Sequence, residues 1–267
     1  MGRPVGYSQR TVEIDESNNE LVFENGNRVP ITNHIFGADG AGSSIRSYID
    51  MKVLSPSYTE PLGHDYKELH IDPGENGDFQ LDPNALHIWP REKFMLIALP
   101  NMDKSFTCTL FLPVYGSLSF DALSNAKSVI DFFNEHFEDV LPLLDNFPNL
   151  FFENPTGKLA TIYADHWRHK RHCLLGDAAH AVVPFFGQGM NASFEDCKVL
   201  MDCIQKGNGN WSKIFATFSE LRKPDADAIA SMAIENYIEM RSSVTQSDYI
   251  ARKKITNALF AKFPDKL

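Results

Sequence analysis

Two short stretches of this 267-residue chain combine carboxylates and glycines at spacings suited to holding a polar ligand. The first, Gly37-Ala-Asp39-Gly40-Ala-Gly-Ser43-Ser-Ile-Arg46, follows the apolar His34-Ile-Phe and runs into a helix-like segment from Ser43 to Asp50. The second extends from Cys173 to Ala192. There Leu174-Leu175 reads as a strand end with Asp177 just beyond it, where open α/β sheets present side chains to ligands. Pro184 then breaks the chain, and Gly187-Gln-Gly-Met-Asn191 opens a helix. The first N–H groups of a helix have no partner inside it, and the helix dipole favours negative charge at that end. The chemistry suggested is a carboxylate holding a polyol hydroxyl beside a helix start facing an electron-rich heterocycle.

The second stretch also contains Gly187-x-Gly189-x-x-Ala192, a literal match to the dinucleotide fingerprint. Pro184 interrupts the run before it, and no acidic strand end follows at the right distance, so that reading is set aside. His180 is not accompanied by a nucleophile elbow and reads as structural. Cys108, Cys173, Cys197 and Cys203 form no C-x-x-C pair and no zinc spacing; they read as buried, reduced thiols of an intracellular protein.

The elements that must position these residues follow from patterning. Thr11–Asp15 and Glu20–Glu24 alternate apolar and polar residues around turns at Ser17-Asn-Asn and Asn25-Gly-Asn, a hairpin signature. Between residues 65 and 113, short strands are expected at Leu69–Ile71, Phe79–Leu81, Ala85–Trp89, Phe94–Leu99 and Phe106–Phe111, forming an antiparallel sheet. An amphipathic helix is expected over Ser124–Phe137, and a strand over Leu159–Tyr163. Beyond Ala192 the chain turns helical over Phe194–Ile204, Trp211–Arg222 and, with Pro224 near its first turn, Asp225 to about Lys254. The fold class is α+β or mixed α/β.

Composition narrows the function classes. With 35 acidic and 25 basic residues the net charge is −10, and the one dense basic run, Arg168–His172, is short, which argues against a nucleic-acid partner. No apolar run approaches the roughly 18 residues that span a bilayer.

The two glycine-carboxylate segments resemble the paired DG and GD motifs of the class A flavoprotein monooxygenases. Further stretches are similar to the kynurenine 3-monooxygenase family: His87-Ile-Trp-Pro90, Met95-x-x-Ala-Leu-Pro-Asn101, Lys104–Phe111, Val183–Asn191, Phe194-Glu-Asp196 and Asn236-Tyr-Ile-Glu-Met-Arg241. The resemblance runs from about Val12 to Arg241. It implies an FAD/NAD(P)-binding monooxygenase-like fold with an antiparallel substrate-domain sheet followed by C-terminal helices. The implied division is residues 1–50 and 166–206 for the FAD-binding domain, 51–165 for the substrate sheet and 207–267 for the terminal helices.

The implied reaction is hydroxylation of L-kynurenine with FAD as cofactor, NADPH as co-substrate and O2 as oxidant. No protein nucleophile takes part. By the same resemblance, Asp177 binds the ribityl chain, and Gly189, Met190 and Asn191 meet the isoalloxazine edge. Asp39 and Arg46 border the pyrophosphate and the nicotinamide approach. Pro184, Phe185, Phe186 and Gln188 wall the substrate, Asn236 bonds its carboxylate, and Leu69 and Ile88, with Met95 and Ile97, floor the pocket. The family's outer mitochondrial membrane location at the cytoplasmic face is implied too, with its membrane-associated region falling after Leu267.

The family's G-x-G-x-x-G unit for the ADP half of FAD has no counterpart in this sequence. The alternative reading is therefore a non-catalytic remnant or interaction module. On this reading the chain alone holds FAD weakly or not at all, because phosphates lack their helix start. Flavin retained after gel filtration measures this, and a stoichiometrically yellow protein is the opposite outcome.

Overall fold

The computed structural model describes residues 9–144, 146–242 and 246–263. In chain order the elements begin with β1 (Thr11–Asp15), β2 (Glu20–Phe23), β3 (Arg28–Pro30), β4 (Ile35–Gly37) and α1 (Ser44–Asp50). Next come β5 (Tyr58–Ile71), β6 (His87–Arg91), β7 (Phe94–Pro100), β8 (Phe106–Pro113), α2 (Ala126–His136) and α3 (Asn149–Glu153). The chain continues through β9 (Thr156–Tyr163), β10 (Arg168–His169), β11 (His172–Leu174), α4 (Asp177–His180), α5 (Gly189–Lys206), α6 (Trp211–Arg241) and α7 (Ser247–Lys262). These elements form two compact units, one from residues 1–60 and 160–234, the other from residues 61–159 and 235–267.

In the first unit, β1, β2 and β3 make the expected hairpin extended by a third strand. The Asp15 carboxylate accepts from the Asn18 backbone at 3.0 Å and from Arg28 at 2.8 Å, closing the first turn. A second sheet has the order β10-β11-β4, with β11 parallel to β4 and Leu174 opposite Gly37. Parallel pairing makes both glycine-carboxylate segments leave the same end of this sheet. A Cβ on Gly37 would come within 2.7 Å of the Ile45 Cβ, so glycine is required for α1 to pack so closely on β4. The core gathers Ile45, Tyr48, Ile49, Leu174, Phe215 and Phe218.

In the second unit the sheet order is β6-β7-β8-β5-β9. Antiparallel registers pair Leu69 with Cys108, Ala98 with Cys108 and Ile88 with Ile97. Strand alternation sends Leu69, Ile71, Leu96, Ala98, Phe106, Cys108 and Leu110 to one face, packed with Val129, Phe132 and Phe133 of α2. Asn125 and Ser128 form a reciprocal capping box that starts α2.

Several expectations are corrected. Leu69–Ile71 is the end of a strand of 14 residues, and Phe79–Leu81 is not a strand. Phe79 instead sets its ring against Phe106 at 5.7 Å from the loop that follows β5. α6 begins at Trp211 and runs through Pro224 without a break. Proline removes one backbone donor, that of the bond to Glu220. The buried stripe of Phe215, Phe218, Ala226, Ala230 and Ala233 holds the helix on both sides of it. The terminal helices are not a separate block, since the division between the units falls within α6. Of the four thiols, Cys197 is exposed; burial pushes Cys108 and Cys173 up to about 12.

Phe133 is fully buried on α2. Phe133→Ala is expected to lower stability by about 3–5 kcal/mol through lost transfer free energy and the cavity left behind, read by urea unfolding.

Candidate functional site

The candidate site lies in the first unit, where β11 ends. Gly176 adopts φ +57°, a left-handed backbone that L side chains rarely take, and a Cβ there would meet the Ser193 Oγ at 2.8 Å. The chain then turns into α4, whose first residue is Asp177. Asp177 is exposed, and the start of α4 has no side-chain cap. Among the described residues its carboxylate has no hydrogen-bond or ion-pair partner, so capping does not account for it.

Ten residues further on, Gly187 at φ +65° redirects the chain into α5. α5 starts without a side-chain cap, and its ladder opens with the Ala192 N–H donating to the Gln188 carbonyl at 2.9 Å. The N–H groups of Gly189, Met190 and Asn191 thus stand at the open, positive end of an 18-residue helix. Asp177, Val182, Pro184, Gly187, Gly189 and Met190 line one groove of about 460 Å³ together with Ser193 and Phe194. A negatively polarised ring edge and a hydroxylated chain would both be satisfied here. These are the features a flavin requires, so the residues present fit that cofactor.

The groove is braced by a buried ionic cluster. Asp196 of α5 is fully buried and accepts from the Gly176 N–H at 2.9 Å, from His180 Nε2 at 2.7 Å and from Arg222 Nε at 2.8 Å. Burial alone would raise the Asp196 pKa, but the bonds from His180, Arg222 and Gly176 outweigh it and hold the carboxyl below its ordinary range. Arg222 is itself buried; it reaches the Ala192 carbonyl at 3.3 Å and the exposed carboxylates of Glu195 and Asp225. His180 stacks on Trp167 at 5.0 Å, in keeping with a structural histidine.

The polar groups of the DG segment are bonded within the fold. Asp39 accepts from Ser43 Oγ at 2.5 Å and from the Ser44 N–H at 2.8 Å, capping α1. Arg46 turns inward, with Nη1 on the Ala178 carbonyl at 2.8 Å and Nη2 on the Ala41 carbonyl at 2.5 Å. Its guanidinium ties the DG turn to α4.

The expected substrate residues divide between the units. Phe185 is buried while Pro184 and Phe186 are exposed, and Gln188 accepts from Asn191 Nδ2 at 2.9 Å. In the second unit Ile88, Met95 and Ile97 share the sheet face opposite to α2. Leu69 does not: it points into the α2 core, which removes it from a floor shared with Ile88. Asn236 is half-buried on α6 with Nδ2 3.5 Å from Met240 Sδ. Its neighbour Tyr237 is buried against His64 at 5.4 Å and Phe111 at 6.5 Å, on the same face as Met95.

Sequence reasoning did not foresee Arg222 as a site residue. The signal was available: Arg222 lies on the apolar stripe of α6, four residues from both Phe218 and Ala226, where a charge demands a buried partner.

The chain shares its fold with solved FAD-dependent aromatic hydroxylases, and residues 144–232 match the FAD binding domain family. Solved structures with this fold include Klebsiella pneumoniae HpxO complexed with FAD and uric acid, with a TM-score of 0.65 at 15% identity over 97% of this chain and 62% of that one. Another is 2-methyl-3-hydroxypyridine-5-carboxylic acid oxygenase, with a TM-score of 0.65 at 18% identity over 92% of this chain and 61% of that one.

In sequence the chain is homologous to the kynurenine 3-monooxygenases. It is 47% identical to that of Myxococcus xanthus over 231 residues, covering 86% of this chain and 50% of the relative. It is 41% identical to that of Dictyostelium discoideum over 276 residues, covering 97% and 59%. The chain thus spans about half the length of the curated relatives it matches.

Asp196→Asn is expected to cost about 3 kcal/mol at pH 7, because an amide presents an N–H to one of the buried donors. The Asp196 carboxyl is depressed in the folded state, so the stability it contributes is complete above the unfolded carboxylate value of about 3.9 and is lost as pH falls below it. Urea unfolding of both proteins at pH 7 and pH 3 should show the gap between them shrinking at the lower pH.

Proposed function

We propose that this chain is the flavin-facing part of an FAD- and NADPH-dependent monooxygenase that hydroxylates L-kynurenine. The observation that carries the reading is the Asp177 carboxylate, exposed and without a partner among the described residues, in one groove with the uncapped start of α5. The homology to kynurenine 3-monooxygenases supports the substrate. With it comes the family's attachment at the cytoplasmic face of the mitochondrial outer membrane; among the described residues no helix is long and apolar enough to cross a membrane.

In this reading FAD, when bound, would supply the oxygen-transfer chemistry, with NADPH as electron donor and O2 as oxidant. The residues of this chain bind and orient. Asp177 accepts a hydrogen bond from a ribityl hydroxyl. The N–H groups of Gly189, Met190 and Asn191 stabilise negative charge on the isoalloxazine edge. Asp39 and Arg46 act by holding the DG turn, the first as cap of α1 and the second through α4, beside the pyrophosphate. Pro184, Phe185, Phe186 and Gln188 form the substrate wall, Ile88 contributes to its floor, and Asn236 bonds the amino-acid carboxylate.

Two substitutions test this. In a chain completed with the family's ADP-binding unit, Asp177→Ala should weaken FAD binding by the value of a hydrogen bond to a charged acceptor, about 1.5–3 kcal/mol, with little change in melting temperature because the fold does not use that carboxylate. Titration of ligand-free protein by flavin fluorescence quenching measures it, and an unchanged Kd removes Asp177 from the site. In the same completed chain, Asn236→Ala should raise the KM for L-kynurenine by roughly tenfold or more while leaving kcat closer to its original value, since the contact is remote from the reacting ring. Steady-state hydroxylation assays alongside a thermal melt decide it; a level KM makes Asn236 a structural residue.

A further inference from the structure

We propose that Asp196 and His180 are positioning residues for the flavin site: the buried Asp196 carboxylate sets the spacing between Asp177 and the α5 start. The inference rests on the flavin reading above. The two parts of the groove come from different elements. Asp177 follows Gly176 on the turn after β11, and the free N–H groups belong to the first turn of α5. Asp196 sits seven residues into α5, two turns from Gly189. From there its Oδ2 takes both the Gly176 N–H and His180 Nε2, while Oδ1 takes Arg222 Nε.

One carboxylate therefore clamps both ends of the Gly176–His180 segment onto the helix that forms the opposite side of the groove. His180 is pinned in turn by its stack on Trp167. Gly176 needs such a clamp, because its left-handed backbone is one of many a glycine can adopt in the absence of an external bond.

Arg222 has a separable role. It neutralises the buried charge and reaches Ala192, but it touches neither Gly176 nor Asp177. Net stability is therefore shared by all three side chains, whereas the position of Asp177 depends on the bonds of Asp196 to Gly176 and His180. A substitution at His180 can separate these effects. Leu keeps apolar contact with Trp167 and removes the donor. Gln restores an N–H donor that reaches the carboxylate.

The experiment uses the ligand-free chain, with FAD as the probe. Binding is followed through NMR shifts of the Gly176, Asp177, Gly189, Met190 and Asn191 amides, which register even a weak complex. His180→Leu should raise the Kd for FAD by about tenfold, the factor that corresponds to 1.4 kcal/mol, and His180→Gln should return it to within about threefold of the original. Phe215→Leu, a buried change in the same unit whose ring meets His34, Phe36 and Trp211, is the control. It should lower the melting temperature while leaving the Kd unchanged well below the melt.

The inference is overturned if His180→Leu binds FAD as the original chain does, if His180→Gln fails to recover binding, or if Phe215→Leu weakens binding equally. Should His180→Leu not fold, Asp196→Asn takes its place, with the same tenfold loss expected and an unchanged Kd counting against the proposal. If the original chain shows no amide shifts with FAD, the flavin reading itself falls, a result distinct from binding that is indifferent to His180.

Discussion

A single buried carboxylate, Asp196, orders the first unit around the groove. Burying a charge is costly unless it is fully paired, and here one backbone donor and two cationic or polar side chains converge on it. Each donor comes from a different place in the chain: the turn after β11, the end of α4 and the middle of α6. Satisfying the charge therefore fixes three elements at once. Removing any donor would leave the carboxylate underpaired, so the arrangement is specified tightly where apolar packing alone would tolerate sliding.

The groove contrasts with this brace. Its polar groups are those the fold leaves unused: the Asp177 carboxylate, exposed and unpartnered among the described residues, and the first N–H groups of α5, uncapped. The DG segment shows the opposite pattern. Asp39 is absorbed as a cap of α1, and Arg46 is spent on two backbone carbonyls. Both motifs carry an exposed aspartate after a strand, yet Asp39 is bonded to the start of α1, whereas Asp177 has no partner among the described residues.

The sheet of the second unit divides its chemistry by alternation. The face toward α2 is apolar and closed. The other carries Ile88, Met95, Ile97 and Phe111, covered in part by Tyr237 at the end of α6. Leu69 illustrates the consequence of period-two geometry. Its type suits a pocket floor, but its register opposite Cys108 puts it on the closed side.

Much of this was legible in the residues. Alternation and turn chemistry foretold the β1–β2 hairpin, and apolar spacing foretold α2. The Gly176-Asp177 pair, together with the Gly187–Asn191 helix start, marked the groove because such positions need small residues and carry exposed polar groups. Local signals of this kind suffice where neighbours in sequence interact. They did not suffice where distant segments meet. The passage of α6 through Pro224 depends on a buried stripe outweighing one lost hydrogen bond. The inward turn of Arg46 depends on an Ala178 carbonyl 132 residues away. The pairing of Asp196 with Arg222 joins two helices across 26 residues. In each case the side chain's role is set by which partner lies within about 3 Å, and only the tertiary structure brings that partner there.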